Sequence, residues 1–393
     1  MFDFSSAASR EQSNAEKYTL REELFGTQDV LPAWVADMDI NTPDFVLDAV
    51  KKRLEHPIVG YEEVPDSAFL AQIAWMQKRH GVAFKREDMF YSHSVVASMA
   101  VVIEAFTRRG EGVIVQTPVY SPFFNTVKKL ERRLVLNSLK QREDGSYTFD
   151  SEDFKAKIDK STKLLLLCSP HNPVGRVWRE EELRAIAEVC YENDIIVFAD
   201  EIHCDLVYKP NRHIPFASLS AHARDISVSA IGVGKTFNMA GFAMSSIAVP
   251  NAALRKQFEK AYERVHFAQG AVLSHVAFEA AYTEGEGWLE ALLQHLQKNY
   301  AMLAELSRNY ADLIKLTPIE GTYLAWLDCR GMGLKDKALR EWFVHEAKLG
   351  LNAGLSFGRA GSGFMRLNFA VPSDTMAEII KRLAGALEKH DKN

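Results

Sequence analysis

Only four cysteines, Cys168, Cys190, Cys204 and Cys329, occur in the chain, widely spaced and with no Cys-x-x-Cys pair. That excludes a disulfide framework or a zinc site built on paired thiols, and it fits reduced cysteines in the cytoplasm. No apolar run approaches the roughly 18 residues of a membrane span. The stretch from Met1 to Arg10 has no basic segment followed by an apolar one, so no secretory signal is expected. Basic blocks are missing, and the net charge of -5 gives no support to nucleic-acid binding. Repeats and low-complexity segments are absent as well. What remains is an ordinary globular composition, 47% hydrophobic and 25% charged, in 393 residues, enough for two domains.

From about residue 90 to 250, short apolar runs alternate with helix-like stretches. The runs are Val113–Val115, Leu164–Leu167, Ile195–Ala199, Ile226–Ile231 and Ser246–Val249. Between them, Leu183, Ile186, Ala187 and Cys190 fall at helical spacing. This pattern predicts an α/β fold, a mostly parallel central sheet with helices on both faces. Residues 286–315 carry one uninterrupted apolar stripe, from Leu289 to Leu313, and predict a single long helix. Beyond it come strand candidates at Thr322–Asp328 and Phe364–Asn368, a Gly-rich segment between them, and a terminal helix from about Asp374. The expected division is a large domain over 46–287 and a smaller α+β domain made of 1–45 and 288–393.

Three of the apolar runs lead into residues with committed chemistry. Asn172 follows Leu164–Cys168, Asp200 closes Ile195–Ala199, and Lys235 follows Ser227–Ile231. In an open parallel sheet the carboxyl ends of the strands face one crevice where ligands bind. An amine among apolar neighbours loses its proton readily and can form a Schiff base with a carbonyl. A carboxylate facing a pyridine nitrogen keeps pyridoxal phosphate an electron sink. Taken singly, each residue has a plainer reading: a solvated loop lysine, a helix cap, an Asn-Pro turn. Together, in this order and placement, they point to a pyridoxal-phosphate site.

Other segments are more ambiguous. Ser229–Thr236 comes within one residue of the phosphate loop G-x-x-x-x-G-K-[ST], but Ser229 stands where the first glycine is required. His203-Cys204-Asp205 and His345-Glu346 lack the spacing of His-Glu-x-x-His, so no metal site is expected. A helix starting at Val95 and Val96 would offer free N–H groups to a phosphate, or would simply be a capped helix. Tyr120 lies just past a strand end and either packs or stacks on a planar cofactor. Arg366 is either a surface residue or a bidentate partner for a substrate carboxylate.

The chain resembles the fold type I pyridoxal-phosphate enzymes of the aminotransferase superfamily, in the branch of MalY/PatB-type cystathionine β-lyases or cysteine-S-conjugate C–S lyases. Segments that carry the resemblance include Trp34–Asp39, Gly60-Tyr61, Gln116–Tyr120, Cys168–Trp178, Asp200–His203, Lys235–Gly241, Glu320–Trp326 and Gly363–Asn368. The resemblance implies pyridoxal 5'-phosphate as cofactor and a homodimer that acts on a small-molecule substrate, a sulfur-containing L-amino acid (L-cystathionine, L-cysteine or a cysteine S-conjugate), by α,β-elimination to pyruvate, ammonia and a thiol. It implies that Lys235 carries the cofactor and moves protons at Cα, that Asp200 pairs with the pyridine nitrogen, and that Asn172 and His203 flank the phenolic oxygen. Tyr120 would stack on the ring, and Val95 and Val96 would meet the phosphate through their backbone. Tyr61 would reach the neighbouring subunit's phosphate, and Arg366, with backbone near Ala36, would bind the substrate carboxylate. Transamination on the same site, or a regulatory binding role on the same fold, are the competing expectations. Three positions depart from the branch: Gly234, where Ser or Thr commonly precedes the lysine, Ser94, where many relatives have Gly, and Ala243, where many aminotransferases have Arg.

Overall fold

The computed structural model describes residues 2–266 and 270–392. Its main sheet has seven strands: β1 (Met89–Ser92), β2 (Gly112–Thr117), β3 (Arg133–Ser138), β4 (Thr162–Cys168), β5 (Ile196–Asp200), β6 (Ser227–Ile231) and β7 (Ser245–Ala248), in the order β1-β7-β6-β5-β4-β2-β3. Neighbours from β6 to β3 pair in parallel, and only β7 runs against both its neighbours. This is the mostly parallel sheet that the alternating runs predict. The outer strands β1 and β3 were not anticipated. β3 lies at a sheet edge and alternates buried and exposed residues, and its short apolar run Leu134–Leu136 is flanked by Arg133 and Asn137.

Side-chain alternation along the central strands feeds two separate cores. Leu165, Leu167, Val197 and Ala199 face one, which is closed by Leu183, Ile186 and Cys190 of helix α2 (Glu180–Glu192). Leu164, Leu166, Phe198 and Val228 face the other, which is closed by Met99, Val102 and Ile103 of helix α1 (Val95–Phe106) and Phe258 of helix α3 (Ala252–Arg264). Helices therefore cover both faces.

A long helix α4 (Glu286–Asn309) buries Leu289, Leu292, Leu296, Leu303 and Leu306. It stops short of the expected 315. Ser307 explains the stop: its hydroxyl donates to the Ile314 carbonyl at 3.1 Å and accepts the Leu316 amide at 2.9 Å, which turns the chain into β8 (Lys315–Leu316). That strand begins a four-stranded antiparallel sheet with β9 (Leu324–Asp328), β10 (Asn352–Ala353) and β11 (Phe364–Asn368), ordered β8-β9-β11-β10. The terminal helix α5 (Ser373–Asp391) packs Met376, Ile379 and Leu383 into the same core as α4. The N-terminal segment joins this half: Leu31 and Pro32 pair in parallel with Leu349 and Gly350.

Candidate functional site

The carboxyl ends of β4, β5 and β6 are level, with Cys168 paired to Asp200 and Asp200 to Ala230. Asn172 follows β4 by four residues, and Lys235 follows β6 by the same distance, so both reach the edge where Asp200 ends its strand. Gly232 permits the exit from β6. A Cβ there would lie 2.9 Å from Cβ of Ser245 and 3.1 Å from its Cα on the adjacent strand. Gly234 is under no such constraint, since an added Cβ would find its nearest neighbour, Cα of Ala240, at 3.6 Å.

Lys235 Nζ donates to the carbonyl of Ala36 at 2.6 Å. Burial, seconded by the Arg366 charge, draws its amine down to about 8, against the pull of Asp37 and Asp200. The Asp200 carboxylate accepts the Ile202 amide at 3.2 Å, and burial pushes its pKa up to about 7. A buried carboxylate so sparsely bonded is a receptor for a cation. His203 is buried, with Nδ1 unpartnered. Burial, then Lys235 and Arg366, draw it down to about 3, so its ring is neutral.

Arg366 is 3% exposed and all its bonds go to uncharged partners. One Nη donates to Asn172 Oδ1 at 3.1 Å; the other donates to the Trp34 carbonyl at 2.7 Å and Asn352 Oδ1 at 2.6 Å. Nε has no partner, and the guanidinium lies 4.8 Å from the Phe357 ring centroid. Burial draws its pKa down to about 10, still well above neutral pH, so the charge stays and faces the site without a counter-ion. Because a guanidinium only donates, Asn172 presents its oxygen to it and keeps its amide N–H groups for another acceptor. Tyr120, 39% exposed, stands close enough to Arg366 and Asp200 for both charges to act on its phenol.

Lys235, Asp200, His203, Asn172, Tyr120, Arg366 and Ala36 thus meet in one place. Val95 and Val96 open α1, one strand end along the same edge. The Ser94 hydroxyl caps this helix by accepting the Ala97 amide at 3.2 Å, which leaves the Val95 and Val96 amides without a partner inside the helix. Tyr61 is 93% exposed, as are Ile58 (68%) and Val59 (55%) to a lesser degree, so within one chain it does not enter the cluster.

Several contributors were not singled out from the sequence. Tyr323, fully buried, donates to the same Ala36 carbonyl at 2.9 Å. Asn368 Nδ2 holds the Val35 carbonyl at 2.6 Å, and Asn238 brackets Met38, accepting its amide at 3.0 Å and donating to its carbonyl at 2.9 Å. Asp37 and Asp39 are pinned by Arg10 and the buried Lys17. The strap from Trp34 to Asp39 is therefore fastened to both halves of the molecule. Tyr323 lies in the motif Gly321-Thr-Tyr-Leu-Ala-Trp326, its only trace in the sequence.

Known proteins are similar to this chain over nearly its full length. Cystathionine beta-lyase PatB of Bacillus subtilis is 37% identical over 98% of this chain and 100% of its own. Protein MalY of Escherichia coli is 31% identical over 98% of this chain and 99% of its own. The crystal structure of cystalysin from Treponema denticola, which contains a pyridoxal 5'-phosphate cofactor, superposes with a TM-score of 0.95 at 33% identity, covering 99% of each chain. Residues 36–383 match the model of the aminotransferase class I and II family, and the chain belongs to that family.

Proposed function

We propose that the chain is a pyridoxal-phosphate-dependent carbon–sulfur lyase, which splits L-cystathionine, L-cysteine or cysteine S-conjugates into pyruvate, ammonia and a thiol. The observation that carries this reading is the pairing of a lowered amine, Lys235, with a buried guanidinium, Arg366, that has only uncharged partners. Such a pair suits an α-amino acid held by its carboxylate with Cα beside a base. The relatives' names supply the sulfur chemistry.

The residues fit the cofactor. Asp200 is a carboxylate in want of a cation, His203 keeps an unpartnered Nδ1, Asn172 keeps its amide N–H groups, and the α1 amides are open. Tyr120 offers a ring beside them. Bound there, pyridoxal 5'-phosphate supplies the carbonyl that engages the amino group and the electron sink that stabilises charge at Cα. Lys235 takes the Cα proton, for which a pKa of about 8 is well matched to neutral pH. Arg366 holds the carboxylate and so fixes which bond at Cα faces Lys235. The Cβ–S bond then breaks with its electron pair on sulfur, and the resulting 2-aminoacrylate takes up water to give pyruvate and ammonia.

Three further elements complete the proposal. Residues 46–287 form the cofactor-binding domain, and 1–45 with 288–393 the smaller one, a division supported by the pairing of Leu31 with Leu349. The working unit is a homodimer in which Tyr61 reaches the partner's phosphate, supported by the exposed apolar run Ile58-Val59 beside it. The reaction takes place in the cytoplasm, supported by four free, buried cysteines. Among the described residues no helix is long and apolar enough to cross a membrane.

The test is incubation with L-cystathionine in the absence of any α-keto acid. Pyruvate and homocysteine released in equal amounts over many turnovers are expected. Turnover that stalls after one equivalent and resumes on adding a keto acid would replace this reading with transamination.

A further inference from the structure

Cys204 and Asp205 follow His203 directly, yet they line a separate cavity of about 330 Å³ together with Arg79, His80, Arg212 and His213. The proposed reaction uses none of these residues. The donor atoms of His80, Cys204 and Asp205 all lie within 4.8 Å of one another. His213 supplies the second observation. It is 5% exposed, lines the same cavity, and neither ring nitrogen has a hydrogen-bond partner. Its ring centroid is 5.4 Å from that of His80, and its nearest carboxylate, Glu201 Oε1, is 3.5 Å away. Glu201 Oε2 is likewise buried and unpartnered. Buried polar atoms are almost always bonded; His80 Nε2 and Asp205 Oδ1, 2.8 Å apart, bond each other, whereas the two nitrogens of His213 face the cavity in want of an occupant.

We propose that His80, Cys204 and Asp205, with His213 as fourth donor, bind one divalent transition-metal ion of the zinc class. Two imidazoles, a thiolate and a carboxylate form a set that zinc favours and that the oxygen-seeking magnesium and calcium ions do not. Tetrahedral bonds of about 2.0–2.3 Å place donors about 3.5 Å apart, so side-chain shifts of about 1 Å bring His80, Cys204 and Asp205, whose donors lie within 4.8 Å, into that geometry. The outer shell is already in place. Trp75 Nε1 donates to one Asp205 oxygen at 3.0 Å and Thr236 Oγ1 to the other at 3.1 Å. Binding releases the Cys204 thiol proton to solvent. Through Thr236, the ion would share Asp205 with the loop that bears Lys235. The sequence concealed the site because its donors, at 80, 204, 205 and 213, follow no ligand spacing.

The experiment is equilibrium dialysis of the purified holoenzyme against zinc chloride, repeated with cobalt chloride to read the ligand set by absorption at the red end of the visible spectrum. One ion per chain is expected, with thiolate-coordinated tetrahedral cobalt. Affinity is expected to fall by at least about 100-fold in Cys204→Ser and in His213→Gln, the upper end of what even outer-shell changes cost. Wild-type protein that binds no stoichiometric metal, or whose affinity is unchanged in both variants, would overturn the proposal. So would a cobalt spectrum without thiolate character, which decides the matter even where a variant does not fold.

Discussion

Lys235 and Tyr323 converge on a single acceptor, the Ala36 carbonyl, at 2.6 and 2.9 Å. Tyr323 is locked in the core, so it fixes that carbonyl, and the carbonyl in turn sets where the Lys235 amine rests. Removing the phenol hydroxyl in Tyr323→Phe loosens the strap without touching the base itself. A net hydrogen bond of about 0.5–1.5 kcal/mol predicts a fall in kcat of roughly threefold to tenfold, with KM little changed. Steady-state kinetics of the variant check this; a loss confined to KM would place Tyr323 on the substrate instead.

Arg366→Lys keeps the charge but loses the planar fork that now spans Trp34, Asn352 and Asn172. Charge-assisted bonds of about 1.5–3 kcal/mol predict a KM raised by roughly 10- to 100-fold for every amino-acid substrate tried. Comparing KM across substrates with different thiol groups tests it, because a carboxylate receptor affects them all alike.

Asp200 carries a dependence on pH with a definite sign. Burial raises its pKa from 3.8 to about 7 in the folded chain. Between those two values the folded state binds more protons than the unfolded state, so this group's contribution to stability falls as pH rises. In cofactor-free protein, Asp200→Asn removes that loss. Its gain in melting temperature over the parent should emerge above pH 4, grow until about pH 7 and then level off. A gain that is independent of pH would mean that the carboxylate is not the cause.

The two glycines before Lys235 are predicted to differ. Gly232→Ala forces a Cβ against Ser245 and should cost about 1–3 kcal/mol, read as a lowered unfolding midpoint. Gly234→Ser finds its nearest neighbour at 3.6 Å and should fold with unchanged stability. Equal losses in both would show that the loop after β6 is tighter than this geometry.

Much of this was legible in the sequence because the central strands are buried on both faces and read as largely apolar runs, three of which lead into one polar residue each: Asn172, Asp200 and Lys235. Helix starts and ends were less legible, since α4 is ended by the Ser307 hydroxyl and not by a glycine or proline. The outer strands β1 and β3 hold just three apolar residues each, Met89–Tyr91 and Leu134–Leu136. The supports of the site were hidden for another reason. Tyr323 meets Ala36 across 287 residues and Asn368 meets Val35 across 333, and no local pattern encodes such a contact. Arg366 shows the same limit: the residue could be named, but its burial against uncharged partners could not.

The most direct test of the account is to identify the residue that carries the cofactor. The yellow holoenzyme is treated with borohydride, digested, and its peptides weighed. The account predicts the reduced pyridoxyl-phosphate mass on the peptide containing Lys235 and nowhere else, with Lys235→Ala colourless and unlabelled. Label on a different lysine, or a visible spectrum that survives Lys235→Ala, would contradict it.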